Sequence, residues 1–168
     1  MKALIVSDIH GNYLNMKKVI DDNKEFDYLI LLGDILTGNG YKVEELINLL
    51  NSYNTKIICV RGNCDIDSKL IDFSLDNDYI ITAIDHKIFY LTHGHLYNKD
   101  SFPNLDYDVY IQGHTHVAMM DEDNNKLYLN PGSISLPRNG VESYIYYEDG
   151  EFQLKSVENG KVIKKCKF

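Results

Sequence analysis

Through the first third of the chain, short apolar runs alternate with longer stretches in which apolar residues recur at helical spacing. Ala3–Val6, Tyr28–Leu32 and Lys56–Val60 read as strands, and Leu14–Asn23 and Val43–Leu50 as helices, with Asn12 placed to cap the first. Strand–helix alternation of this kind predicts βαβ units and a largely parallel sheet. Tyr79–Ile84, Ile88–Leu91 and Val109–Gln112 add further strands. From Val117 onward the pattern becomes hairpins, with turn clusters at Asp123-Asn124-Asn125, Glu148-Asp149-Gly150 and Glu158-Asn159-Gly160. Without repeat, low-complexity segment or linker, residues 1–168 are expected to form a single domain. The expected class is α/β: a four-layer αββα sandwich of two mixed β-sheets packed face to face and flanked by helices.

A chain of 168 residues can bury a real core without staples. Its 44% hydrophobic and 25% charged residues are ordinary globular values, and its apolar runs are strand-length, so no membrane span is expected. Met1-Lys2-Ala3-Leu4-Ile5-Val6-Ser7 runs straight into Asp8 and leaves no room for a signal peptide, which predicts a cytoplasmic protein. Cys59, Cys64 and Cys166 form neither a disulfide framework nor a CxxC knuckle, in keeping with a reducing compartment. The net charge of −8 argues against a long nucleic acid partner, which needs clustered Lys and Arg. A small phosphate substrate is compatible with it, because bound cations would make a locally positive pocket.

Metal-binding side chains concentrate in Asp8-Ile9-His10, Gly33-Asp34, Gly62-Asn63, His93-Gly94-His95 and Gly113-His114-Thr115-His116. Each segment directly follows an expected strand, and the crevice beyond strand carboxyl ends is where open α/β sheets bind ligands. Asp8 with His10, and His114 with His116, stand two residues apart. In extended backbone that spacing turns both side chains to one face, whereas on a helix they would diverge by about 200°. A glycine beside each cluster allows a sharp turn or close backbone approach.

Carboxylate, imidazole and amide donors without thiolate favour Mn²⁺, Fe or Zn²⁺ over the all-oxygen cages of Ca²⁺. Asp8, His10, Asp34, Asn63, His93, His114 and His116 are too many for one tetrahedral zinc. They suit two divalent ions about 3.5–4 Å apart, with Mn²⁺ the expected metal and Ni²⁺, Zn²⁺, Fe or Mg²⁺ the alternatives.

The ordered set D-x-H, G-D, G-N-x-D, H-G-H and G-H-x-H over residues 8–116 resembles the calcineurin-like metallophosphoesterase family. Within it the chain is similar to the small phosphodiesterases of the YfcE and MJ0936 type, and Asn130-Pro131-Gly132-Ser133 resembles a further element of that group. The resemblance implies the metallo-dependent phosphatase-like fold, with one ion held by Asp8, His10 and His116 and the other by Asn63, His93 and His114. Asp34 would bridge them. It further implies in-line attack on phosphorus by a bridging hydroxide, with Asp34, Asn63, His93 and His116 carrying catalysis through the metals. Cys64 departs from the pattern, since many members have histidine there to assist the leaving group, and a neutral thiol is a poorer acid.

Asn12, Cys64, His95 and Arg138 are the candidate substrate contacts. Each has a plainer role: helix cap for Asn12, inert thiol for Cys64, a partner packed beside His93 for His95, and solvated loop cation for Arg138. Asp65 stands either to orient a neighbour or as a turn residue, His86 as a surface turn residue, and the tyrosines as strand packing. The expected activity is phosphodiester hydrolysis of a small substrate. Phosphomonoester hydrolysis, a nuclease and a non-catalytic scaffold like the retromer subunit of this fold are the alternatives. The full ligand set favours catalysis. A homo-oligomer through an edge strand of the hairpin-rich half stays open.

Overall fold

The computed structural model describes residues 1–37, 42–65, 71–101 and 105–168. A six-stranded sheet has the order β11-β10-β9-β1-β2-β3. Its members are β1 (Lys2–Val6), β2 (Tyr28–Leu31), β3 (Lys56–Cys59), β9 (Ser143–Glu148), β10 (Glu151–Ser156) and β11 (Val162–Lys167). A five-stranded sheet has the order β4-β5-β6-β8-β7. It contains β4 (Tyr79–Ile84), β5 (Lys87–Thr92), β6 (Val109–Gln112), β7 (Met119–Asp123) and β8 (Lys126–Asn130). Both sheets are mixed: β1, β2 and β3 run parallel, as do β5, β6 and β8, while β9, β10, β11, β4 and β7 pair antiparallel to their neighbours.

The sheets pack face to face through Ala3, Ile5, Ile30, Leu32 and Ile58 on one side and Phe89, Leu91, Val109, Ile111 and Leu129 on the other. Alternate residues of the same strands, Leu4, Val6, Leu29 and Leu31, point to the opposite face and meet helices α1 (Tyr13–Asp22) and α2 (Val43–Ser52). Strands buried on both faces read as continuous apolar runs, which is why β1 and β2 stand out in the sequence. α1 buries Met16, Val19 and Ile20, and Asn12 caps it by accepting the Asn15 amide at 3.1 Å. α2 carries Glu44 and Glu45 in its first turn, where the helix dipole favours negative charge.

The two-sheet α/β sandwich is the expected one, but its layers are unequal. Both helices cover the six-stranded sheet, and among the described residues no helix covers the outer face of the five-stranded one. Tyrosines close that face instead. Tyr90, Tyr110 and Tyr128 lie in register across β5, β6 and β8, Tyr90 stacks on Tyr110 at 5.5 Å between centroids, and Tyr107 packs against them with 4% exposure. Ring stacking across a sheet supplies the burial that a helix would otherwise bring.

The turn clusters fall where expected. Asn124 and Asn125 join β7 to β8, and Asp149 and Gly150 join β9 to β10, all with positive φ. Asp85 and His86, also at positive φ, join β4 to β5, and His86 is exposed there. Two central residues at positive φ match the strand twist of tight hairpins.

Candidate metal centre

Asp8 follows β1, Asp34 follows β2, Asn63 follows β3, His93 follows β5, and His114 and His116 follow β6. Because β1–β3 and β5–β6 are parallel sets, these ends share one rim where the two sheets meet. Hydrogen bonds tie the rim together: across the sheets the His114 amide donates to Asp8 Oδ2 at 3.0 Å, and within the five-stranded sheet Gly113 N–H donates to the His93 carbonyl at 3.0 Å. Gly62 and Gly113 are required by contact, since a Cβ on Gly62 would strike the Asp34 carboxylate and one on Gly113 would strike Ser7 Oγ.

Two groups of ligand atoms converge. One joins Asp8, His10 and His116; the other joins Asp8, Asp34 and His93. Asp34 Oδ2 lies 3.8 Å from His10 Nε2, and Asp34 Oδ1 lies 3.5 Å from His93 Nε2. The carboxylate thus turns one oxygen toward each side of the cluster. Asn63 Oδ1 lies 3.1 Å from His93 Nε2, on the open side. His114 belongs to neither group; its ring meets His93 edge-on at 5.1 Å between centroids.

Asp8 and His10 meet in one group of ligand atoms, but not through extended backbone, and His114 stays outside the group that takes in His116. Asp8 (φ 52), His10 (φ 47), Asp34 (φ 52), His114 (φ 65) and His116 (φ 58) all have left-handed backbone. Each turn reverses immediately after its strand and swings the side chain inward. Non-glycine residues in this region cost on the order of 1 kcal/mol each, and such strain collects at functional sites.

Ring orientation reveals what the cluster is built to hold. His10 Nδ1 sits 2.9 Å from the Thr37 carbonyl, His93 Nδ1 2.6 Å from the Leu32 carbonyl, and His116 Nδ1 2.7 Å from the Leu136 carbonyl. A carbonyl only accepts, so each Nδ1 carries the proton and each neutral ring turns its Nε2 lone pair inward. His10 Nε2 then faces His116 Nε2 at 3.4 Å, with Asp8 Oδ1 3.1 Å from the latter. These are three acceptors around one space. Asp8 Oδ1 is fully buried and, among the described residues, meets no partner in hydrogen-bond geometry despite that short distance. Either an imidazole must be protonated or a cation must sit between them. Asp8, Asp34 and His93 are at most 2% exposed, and burying uncompensated carboxylates is costly. The donor set therefore fits divalent metal.

The electrostatics follow from this crowding of acceptors. The adjacent Asp8 carboxylate raises the His116 pKa against the opposing effect of burial. Burial pushes His93 down, but the Asp34 hydrogen bond and the charges of Asp8 and Asp34 outweigh it and leave its pKa raised. Burial pushes the Asp34 carboxyl up, yet His93 and the Cys64 amide hold it well below the usual carboxylate range. Burial and the neighbouring His93 lower His114.

A surrounding shell holds the ligands in place. Asp65 accepts the Asp34 amide at 2.7 Å, the Ile35 amide at 2.8 Å and the Gly62 amide at 2.8 Å, so it braces the turns after β2 and β3. Ser7 Oγ donates to Asp8 Oδ2 at 2.7 Å. Ser133 Oγ donates to the Asp8 carbonyl at 2.8 Å, and Asn130 Nδ2 to the Gly113 carbonyl at 2.8 Å. The motif around Asn130 thereby supports the β1 and β6 turns. Sequence reasoning assigned no role to Ser7, Asn130 or Ser133. Adjacency to Asp8 is the one signal for Ser7, and the carbonyls of Leu32, Thr37 and Leu136 leave no signal in side-chain identity at all.

The candidate substrate contacts divide. Asn12 is occupied as the α1 cap. Cys64 is partly buried and its Sγ accepts from Asn63 Nδ2 at 3.2 Å; burial and the nearby Asp34 raise its pKa, so at neutral pH it is a thiol. His95 packs beside His93 with ring centroids 5.3 Å apart, and its buried Nδ1 has no hydrogen-bond partner among the described residues. Arg138 is exposed, its amide held by the His116 carbonyl at 2.9 Å and its charge felt by the His116 ring.

A two-sheet sandwich with acid, imidazole and amide side chains gathered at the strand ends is the arrangement of a metallophosphoesterase. Residues 1–149 match the calcineurin-like phosphoesterase superfamily domain, and the chain belongs to that superfamily of metal-dependent phosphoric ester hydrolases. Among its relatives, phosphodiesterase YfcE of Escherichia coli is 32% identical over 152 residues, covering 83% of each chain. Phosphodiesterase MJ0936 of Methanocaldococcus jannaschii is 32% identical over 144 residues, covering 79% of this chain and 83% of the relative. The solved YfcE structure superposes with a TM-score of 0.92 at 28% identity over 99% of both chains. Vps29 of Entamoeba histolytica, solved with zinc, shares the fold at a TM-score of 0.72 and 19% identity over 99% of both chains. No described helix is long and apolar enough to cross a membrane.

Proposed function

We propose that this chain is a divalent-metal-dependent phosphodiesterase acting on a small substrate. The observation that carries the reading is the Asp34 carboxylate, with one oxygen turned toward His10 and the other toward His93, beside two groups of ligand atoms that meet at Asp8. Asp8, His10 and His116 would hold one ion, Asn63, His93 and His114 the other, and Asp34 both. Mn²⁺ suits this mixture of carboxylate, imidazole and amide. When bound, such ions supply a water activated as hydroxide for in-line attack on phosphorus and neutralise charge on the non-bridging oxygens.

The residues of the chain do the rest. The carbonyls of Leu32, Thr37 and Leu136 hold the three imidazoles with Nε2 inward. Asn63 and Arg138 are exposed beside the cluster, and a guanidinium there would suit a phosphate oxygen. Cys64, kept protonated, is too weak an acid to donate readily to a poor leaving group, so esters with good leaving groups are favoured. A net charge of −8 weighs against long nucleic acid substrates.

The diester reading is supported by the names of the relatives YfcE and MJ0936, and phosphomonoester hydrolysis is the reading to test beside it. Likeness to Vps29 at 19% identity speaks for the fold alone. The test is hydrolysis of bis(p-nitrophenyl) phosphate and p-nitrophenyl phosphate with Mn²⁺, by wild type and by Asn63→Ala and His116→Ala. Metal-dependent turnover with the diester preferred, reduced on the order of 100-fold or more in both variants, is expected. Preference for the monoester would shift the substrate class, and absence of metal-dependent hydrolysis would overturn the enzyme reading.

A further inference from the structure

The free edges of the two sheets differ in how they are guarded. An edge strand offers unpaired backbone groups to any other strand, and proteins blunt such edges with charge, short length or covering chain. β7 ends in Asp121, Glu122 and Asp123, all exposed, and β11 carries Lys164, Lys165 and Lys167. β3 is only four residues long and starts at Lys56, and the chain beyond it is tied by the Arg61 amide to the Asn77 carbonyl at 2.8 Å. Among the described residues β4 has none of these devices. It is six residues, Tyr-Ile-Ile-Thr-Ala-Ile, with no ionisable group other than the Tyr79 phenol. Tyr79 is 37% exposed and Ile81 43% exposed, Ala83 is exposed, and Ile88 opposite Ala83 on β5 is 37% exposed.

We infer that β4 is an interface at which a second copy of this chain pairs its own β4 antiparallel about a twofold axis, joining the two five-stranded sheets into one. Charge selects the occupant. Two copies each carrying −8 repel wherever acidic surface meets acidic surface, and the β7 edge would oppose carboxylate to carboxylate. The β11 edge would likewise oppose lysine to lysine. Of the three longer edges, β4 is the one that lets identical strands meet without like charges. The acids that bracket it are already held: Asp78 by Arg61 at 2.7 Å, and Asp85 by the Tyr147 hydroxyl at 2.8 Å and the N-terminal ammonium at 3.4 Å.

Side-chain sizes select the register. Residues directly opposite in an antiparallel pair share a face, so a twofold axis must pass at a residue that meets itself. With the axis at Ile81, Tyr79 of one copy meets Ala83 of the other and Ile80 meets Thr82. The largest exposed side chain then lies against the smallest, twice by symmetry, and exposed Ile81 meets its own equivalent. Isologous self-complementarity of this sort is the usual basis of a dimer. This edge differs from the one anticipated from sequence, which lies in the hairpin-rich half, where the edge strands β7 and β11 are charged.

The interface is independent of the metal centre, and its test needs no substrate. Sedimentation velocity over a concentration series is expected to show a reversible dimer for wild type and a monomer for Ile81→Lys. Ile163→Lys, on the exposed face of the already cationic β11 edge, is expected to dimerise like wild type. Circular dichroism and melting of both variants separate lost pairing from lost fold. Register is read by cysteine: under mild oxidation Ile81→Cys is expected to cross-link to itself, as opposite Cα atoms about 4.5–5.5 Å apart allow, whereas Thr82→Cys and wild type with its free thiols are not. A wild-type chain that stays monomeric throughout, an Ile81→Lys dimer as strong as wild type, or equal cross-linking of the two cysteine variants would overturn the inference.

Discussion

His10 and His116 stand with their Nε2 atoms 3.4 Å apart, each ring pinned from behind by a backbone carbonyl to Nδ1. Two lone pairs held face to face beside the buried Asp8 Oδ1 form an arrangement that is unfavourable until a proton or a metal ion enters it.

Competition between proton and metal gives the first prediction. His93 and His116 have raised pKa values in the metal-free chain, so the protonated rings stabilise that form below the ordinary histidine range. The contribution is lost as pH rises through the raised values. Metal requires the neutral rings, so its affinity has the opposite slope, strengthening as pH rises through the same window and weakening toward acid. Calorimetric Mn²⁺ titration from about pH 8 down to about pH 5 is expected to show falling affinity with proton release on binding. Undiminished affinity at the acid end would contradict the ligand set.

Asp65 gives the second. Its carboxylate takes the amides of Asp34, Ile35 and Gly62 together. Asp65→Ala leaves those donors without their acceptor, and a loss of about 2–4 kcal/mol in urea unfolding is expected. Mn²⁺ affinity should fall by about 10–100-fold, the usual effect of removing support behind a ligand. Wild-type stability and affinity in the variant would show that the bracing is not needed.

A pair of glycine substitutions isolates close approach from backbone conformation. Gly62→Ala drives a Cβ into the Asp34 carboxylate and amide, whereas Gly140, at φ 86, has nothing within 4 Å of an added Cβ. Gly140→Ala is expected to cost only about 1–2 kcal/mol for its left-handed backbone. Gly62→Ala, without a left-handed backbone but with Asp34 in the way, should instead abolish tight metal binding, measured by the same titration. Equal metal affinity in both would deny the contact.

Cys64 supplies a prediction about chemistry. It lies next to Asn63 and is held as a thiol. Cys64→His installs a group that can protonate a leaving oxygen, and is expected to raise kcat/KM for alkyl phosphodiesters more than for aryl ones. Equal effects on both substrates would refute a leaving-group role at this position.

Much of this was legible in the chain. Continuous apolar runs marked β1 and β2 because both faces of those strands are buried, and Asn-Asn and Asp-Gly marked two hairpins because those residues accept positive φ. The ligand segments stood out because each follows a strand. What sequence could not carry was conformation imposed from a distance. Nothing about His10, His114 or His116 announces left-handed backbone, so the extended geometry expected for each i, i+2 pair is not the one the turns have. Nor could it reveal that the outer face of the five-stranded sheet is closed by Tyr90, Tyr110 and Tyr128, since their register depends on pairing β6 with both β5 and β8.

The most direct measurement is anomalous scattering from crystals of the Mn²⁺-loaded chain. Two ions about 3.5–4 Å apart are expected, one against Asp8, His10 and His116, the other against Asn63, His93 and His114, with Asp34 touching both. A loaded crystal with no ion among these side chains, or a single ion that leaves Asp34 unbound, would contradict the proposed centre.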